Sequence, residues 1–319
     1  MKNIKVFITL ILVMFIWGVN VSALKFLVNY FSPITITSIR ILTASSLVFI
    51  ILFILKIIRL PRKKEWLYVF GGAITSVAAH HYFLSEGLTK TSAANGGLIL
   101  GLGPLLTAVL SVLILKEKVT MIRFVGFLFG GIGVSVIVLA GSKTLGEISI
   151  GDIEIFVAIV SQAFSFILIK KASETMDPRL LTGYMFFIGS LILLLIALVK
   201  EPNGFSELSK GNASVWLIFL FSALLATAVG HMIYNSAIEK IGAARSSIFL
   251  NLNTFFSLIG AGLFLGEAIL LVHFVGLTFI IAGVLLGSGS LETLLRSTTI
   301  KQEQTDSLQA DDHKGKQDI

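Results

Sequence analysis

The sequence predicts an all-α polytopic membrane protein, with ten transmembrane helices arranged as two inverted five-helix repeats. Three observations predict it. Of 319 residues, 55% are hydrophobic and 13% charged, and the mean hydropathy is +0.93; a soluble domain has about 45–50% apolar and roughly 25% charged residues. Too few polar side chains remain to cover a water-facing body, which excludes a soluble enzyme. The apolar residues fall in ten continuous runs, each near the roughly 20 residues that a helix needs to cross a bilayer core of about 30 Å. The second half of the chain also repeats the first.

The first run, 5–26, is too long for a signal-peptide core and is followed by no small-residue cleavage site, so it reads as a retained helix. The second, 36–58, follows Pro33 and ends in the basic cluster Lys56, Arg59, Arg62, Lys63 and Lys64. The runs 66–88, 93–115 and 122–141 complete the first half, and 152–170, 180–199, 214–237, 244–265 and 268–288 form the second. β-Barrel strands would alternate over about ten residues, whereas these runs are continuous. The domains expected are 1–143, 144–288 and a polar, disordered cytoplasmic tail at 289–319, rich in Gln, Asp, Lys and Ser.

The net charge of +7 comes from 25 basic and 18 acidic residues, and the basic ones sit in the gaps between runs. They read as orienting charges rather than a nucleic-acid surface. With the N-terminus inside, the basic cluster after helix 2, Lys116, Lys118 and Arg123, and Lys170, Lys171 and Arg179 all face one side. The opposite loops hold five lysines, Lys25, Lys90, Lys143, Lys200 and Lys210. Basic loops face the cytoplasm, so both termini are expected there, in a multi-pass protein of the cell membrane. The absence of cysteine excludes disulfides, thiolate metal sites and thiol chemistry.

Sliding the chain by 150 residues places Trp66 on Trp216, His81 on His231, Lys90 on Lys240 and Glu117 on Glu267. A slide of 145 places Lys25 on Lys170, Pro33 on Pro178 and Thr37 on Thr182. Because five is odd, the second copy enters from the opposite side. Inverted repeats are a common plan of secondary transporters, with the binding site near mid-membrane between the copies.

The chain resembles the EamA branch of the drug/metabolite transporter superfamily. The resemblance rests on Trp17-Gly18, on Pro33 followed by Arg40, and on Gly87-Leu88, Ser92-Ala93-Ala94, Gly103-Pro104 and Leu115-Lys116-Glu117. The second copy has Ala237-Ile238, Gly242-Ala243-Ala244 and Leu265-Gly266-Glu267. The resemblance implies a ten-helix bundle that exports small metabolites, often amino acids or related compounds, driven by protons or by the solute gradient. It departs where Thr254, Gln162 and Met185 stand for Pro104, Trp17 and Arg40 of the first copy, and Glu86 is unusual at its position.

Trp17, Asn20, Gln162, Tyr234, Asn251 and Asn253 are the candidate substrate-binding residues. A buried amide needs a partner, so each either bonds a neighbouring helix or contacts solute. Asn251 and Asn253 stand about 200° apart on a helix and cannot point the same way. His81 and His231, a repeat-related pair, are candidate proton carriers because imidazole titrates near neutral pH; neutral histidines bonding backbone are the alternative. Glu86 is either a proton-coupling carboxylate or a rim charge paired with Lys90. Pro104 is expected to open a hinge near Leu100, and Arg40 to snorkel to the outer headgroups. Glu117 and Glu267 are expected to lock helix ends by bonding loop backbone, and Gly126/Gly130 and Gly283/Gly287 to form packing faces.

No P-loop and no H-E-x-x-H motif occurs, so neither an ATP-driven pump nor an intramembrane hydrolase is expected, and no cofactor or metal. The partners expected are a small-molecule metabolite, the lipid bilayer and protons, without nucleic acid, in a monomer or homodimer. Uptake or exchange of a metabolite is the competing transport reading. A membrane scaffold or an intramembrane enzyme is the competing reading outside transport.

Overall fold

In a computed structural model, residues 2–28, 30–90, 99–140, 149–265 and 270–289 are described. Ser92-Ala93-Ala94, Gly266-Glu267 and the tail from 290 onward lie outside the described residues. The described residues contain helices and no strand.

Two long helices open the chain, α1 (Lys2–Val28) and α2 (Pro33–Ile54). The third is composite: α3 (Glu65–Gly72), a π-helical segment (Ala73–Ala79) and α4 (His80–Lys90). After it come α5 (Gly103–Leu110), extended by a second π segment (Ser111–Leu115), and α6 (Met121–Ala140). The second half has α7 (Ile150–Ala172) and α8 (Pro178–Lys200), then α9 (Ala213–Leu220), a third π segment (Phe221–Val229) and α10 (Gly230–Ile241) in one composite helix. It closes with α11 (Ala243–Ser247), α12 (Leu250–Leu265) and α13 (Leu271–Gly287). Among the described residues, five helices are long and apolar enough to cross a membrane, and three shorter apolar ones accompany them.

Local sequence explains the ends. Ser149 and Asp152 form a reciprocal capping box at the start of α7. Asp177 caps α8 by accepting from the Arg179 N–H, with Pro178 in the first turn. The repeat-equivalent Ser32 does not cap α2 with its own hydroxyl. Instead, two carboxylates from the loop after α8 reach across: Glu201 accepts from the N–H groups of Ile34 and Thr35, and Glu207 accepts from the Ser32 N–H and hydroxyl. Negative charge at a helix N-terminus is favourable, so α2 is capped by the other half of the chain.

Lipid tails are as apolar as leucine, so helix association in a bilayer relies on close packing and small residues. α6 and α13 show this. A Cβ on Gly126 would meet the Gly287 backbone nitrogen at 2.3 Å, and one on Gly133 the Gly276 carbonyl at 2.6 Å. The glycine faces read from the sequence therefore pack against each other. Residue 126 pairs with 287 and residue 133 with 276, so these repeat-equivalent helices run antiparallel. α2 and α8 do the same, since Thr35 meets Glu201 while Ser45 donates to the Gly183 carbonyl. Outward positions such as Phe53, Leu217 and Leu271 expose large apolar side chains, as a lipid-facing surface does.

Two expectations about this framework are corrected, for Arg40 and for helix 9. Arg40 does not snorkel to the headgroups: it is 3% exposed and its guanidinium donates to the Thr227 hydroxyl. Protein on every side covers it, so α2 cannot present it to the membrane surface. The backbone turns at Gly101-Leu102 and Pro104 then sits in the first turn of α5, where no N–H is needed. Helix 9, expected unbroken over 244–265, is interrupted between α11 and α12, and Ser247 beside that interruption reaches the Pro104 carbonyl at 3.4 Å.

Candidate functional site

The π segments Ala73–Ala79 and Phe221–Val229 end on the residues before His80 and Gly230. They thus occur at the same place in both halves, each leading into a repeat-related histidine. A π turn widens the hydrogen-bond ladder by one residue, a feature frequent at functional sites. In the second half it organises a cluster between the halves. The Thr227 hydroxyl donates to the Ser222 carbonyl five residues back, at 2.8 Å, and accepts from Arg40. Nδ1 of His231 meets the Thr227 carbonyl at 2.9 Å. The Trp17 indole N–H donates to the Ala226 carbonyl at 2.8 Å.

Trp17 also lays its ring 4.6 Å from that of His231 and 5.2 Å from that of Tyr234. Tyr234, with 0% exposure, packs on Phe166, and His231 packs on Phe186. α1, α7, α8 and α10 therefore converge on one aromatic and hydrogen-bonded group. His81 touches His80 ring to ring, and His81 and His231 each lie within electrostatic reach of Arg40, of His80 and of one another. The other ring of the pair is tied down, Nδ1 of His80 lying 3.1 Å from the Ala158 carbonyl of α7.

Several buried polar atoms at this level have no hydrogen-bond partner among the described residues: Oδ1 of Asn20, Nε of Arg40 and the Tyr234 hydroxyl. Such groups are costly unless satisfied. Asn20 lies on the same side of α1 as Trp17, three residues on.

The remaining sequence candidates lie elsewhere. Gln162 bonds within its own helix, donating to the Ser165 hydroxyl, which donates back to its carbonyl. Asn251 is pressed against Gly130 of α6, in the packing between halves, with its Nδ2 unpartnered, while Asn253 is half-buried with a buried, unpartnered Oδ1. Glu86 sits at the end of α4 with Lys90, whose ammonium is 3.2 Å from Glu86 and 2.7 Å from Glu154 of α7. The hydrogen bond from Lys90 to Glu154 raises its pKa. Lys90 thereby joins Glu86 of α4 to Glu154 of α7. Beside it, Gly87 and Gly151 let α4 and α7 approach until a Cβ on either would clash with the other's carbonyl. Glu117 lies against Gly242, whose φ of +93° suits glycine.

Sequence reasoning passed over Arg40 as an interior group, His80, Thr227, and Asn235, which donates to the Thr182 hydroxyl of α8 at 2.8 Å. One signal for Thr227 exists: it stands four residues before His231, one helical turn away. Among the described residues no group of His, Asp and Glu could hold a metal ion.

Residues 4–139 and, again, 149–289 match one family description, EamA-like transporter. The chain belongs to the EamA-like transporter family. Of three relatives it is similar to, two match along nearly their whole length and one along about two thirds of its own. The uncharacterized transporter YyaM of Bacillus subtilis is 32% identical over 91% of this chain and 95% of its own. An uncharacterized transporter of Archaeoglobus fulgidus is 26% identical over 88% and 97%. A WAT1-related chloroplastic protein of Arabidopsis thaliana is 25% identical over 82% of this chain and 64% of its own. A solved crystal structure shares the fold, with a TM-score of 0.75 at 15% identity, covering 91% of this chain and 97% of that one.

Proposed function

We propose that this EamA-type protein is a secondary active carrier that exports a small metabolite, an amino acid or related compound, by alternating access. It spans the cell membrane ten times with both termini in the cytoplasm. Proton or solute gradients drive it. The observation that carries this reading is the repeat-related pair of π segments, which sets His231 beside Thr227 and Trp17, with Arg40 and His81 within electrostatic reach of it, between the two halves. Halves related by a two-fold swap have a natural route to open first to one side and then to the other. Trp17, Asn20 and Tyr234 contact the solute, His81 and His231 relay the coupled proton, and the breaks before Pro104 and before α12 flex during the swap.

The test compares metabolites in the medium of cells carrying empty vector, the intact protein, or the His81→Ala/His231→Ala double variant at equal membrane level. A solute enriched outside by the intact protein and not by the variant is the expected result. Equal enrichment by both keeps export and removes the histidines from it. A solute depleted from the medium would instead establish uptake.

A further inference from the structure

Arg40 lies in the second turn of α2 and is 3% exposed. A guanidinium stays charged at any ordinary pH, and a buried charge is costly unless paired. The partner Arg40 has is a neutral one, the Thr227 hydroxyl, and its Nε has none among the described residues. No carboxylate pairs with it among those residues. The two carboxylates that reach α2 from the other half, Glu201 and Glu207, are spent on the helix N-terminus, holding Ser32, Ile34 and Thr35. Among the described residues, the ionisable groups within electrostatic reach of it are His81 and His231, both bases. The repeat-equivalent position is Met185, so one buried fixed cation, and not a symmetric pair, stands between the halves.

We propose that Arg40 is the counter-ion for an oxyanion on the transported solute, a carboxylate or a phosphate. The cargo accordingly carries at least one negative group. The proposal rests on the transport reading and gives its substrate class. A guanidinium offers paired donors in a fixed fork that matches two oxygens of such a group. Thr227 orients that fork, and its own hydroxyl hydrogen is committed to Ser222.

The test uses the full-length protein in nanodiscs and thermal unfolding with matched probes at constant ionic strength. The probes are phenylacetate against phenylacetamide, N-acetyl-leucine against its amide, and glycerol phosphate against glycerol. Expected is a rise in melting temperature with at least one anion and none with its neutral partner, since a ligand of the native state stabilises it. The rise is lost in Arg40→Gln and reduced in Thr227→Val, which keeps the charge and frees its orientation. Arg40→Lys, with a charge but no fork, keeps a fraction of it. Should Arg40→Gln not fold, the other two variants decide. Equal rises with anion and neutral partner, a rise unchanged in all variants, or no rise with any anion overturns the proposal. The medium profile separates it from the transport reading. Neutral or cationic solutes exported equally by the intact protein and by Arg40→Lys leave the carrier standing and the oxyanion refuted. Anion binding without any solute transported does the reverse.

Discussion

Glu65 stands where the chain leaves the basic loop and enters α3, and its buried carboxylate is gripped by three donors. Arg59 holds both oxygens, at 2.6 and 2.7 Å, and the Arg62 N–H adds a third bond at 2.7 Å. The Arg59 hydrogen bonds hold the Glu65 pKa down to about 2, from an ordinary 4.5. Arg59 also donates to the Thr175 carbonyl, and the Tyr184 hydroxyl donates to the Arg59 carbonyl, so this grip ties the basic loop to the start of α8. Over the window between those two pKa values the unfolded chain binds a proton that the folded chain does not. Stability contributed by Glu65 is thus complete above the ordinary value and lost as pH falls toward about 2. The melting temperature in detergent should fall from about pH 5 to about pH 2, and Glu65→Gln should flatten part of that slope. The variant should also be less stable at neutral pH by on the order of 1 kcal/mol, through lost charge-assisted bonds. A slope identical in the variant would remove Glu65 as its source.

At the scale of elements, the contact between α6 and α13 sets the sharpest expectation. These helices meet backbone to backbone, so a methyl group at Gly126 has no room, whereas one at Gly131 meets nothing within 4 Å. Gly126→Ala should cost about 1–3 kcal/mol by forcing the helices apart. Gly131→Ala should change stability by less than about 0.5 kcal/mol. Melting temperatures of the two purified variants check this, and equal values would mean that the helices separate without cost. The glycines were legible as packing faces because small residues four apart share a helix face. That they pack on each other was not legible, because pairing between helices about 150 residues apart is not a property of either helix alone.

For the whole molecule, the contacts between halves matter more than those within them. α2 lies on α8, α6 on α13, α1 on α12 and α4 on α7, each pair drawn from both halves. Neither half encloses a core of its own. Expressed singly, residues 1–143 or 144–319 should be degraded, whereas co-expressed halves should be recovered together by pull-down on one tag. Stable accumulation of either half alone would contradict this account of the packing. The same interlocking explains why Arg40 and Thr227, 187 positions apart, form one bond.

Composition and the ten apolar runs determined a helical membrane protein, because the bilayer selects on hydropathy and length, both linear along the chain. The repeats were equally legible, as paired Trp, His, Lys and Glu at a constant spacing. The family followed from ordered motifs in the two halves. Depth and partner were not linear properties. Counting inward from a loop placed Arg40 near the headgroups, but only the packing of α2 against the π segment of the other half decided that it lies inside protein. Asn20, Trp17 and Tyr234 were picked as polar groups in apolar runs, yet which of them share one site with His231 depended on how α1, α7 and α10 face one another. Gln162, chosen on the same grounds, satisfies itself within its helix. The π segments left no mark in the hydropathy, because widening the ladder by one residue changes which side chains converge and not which are apolar.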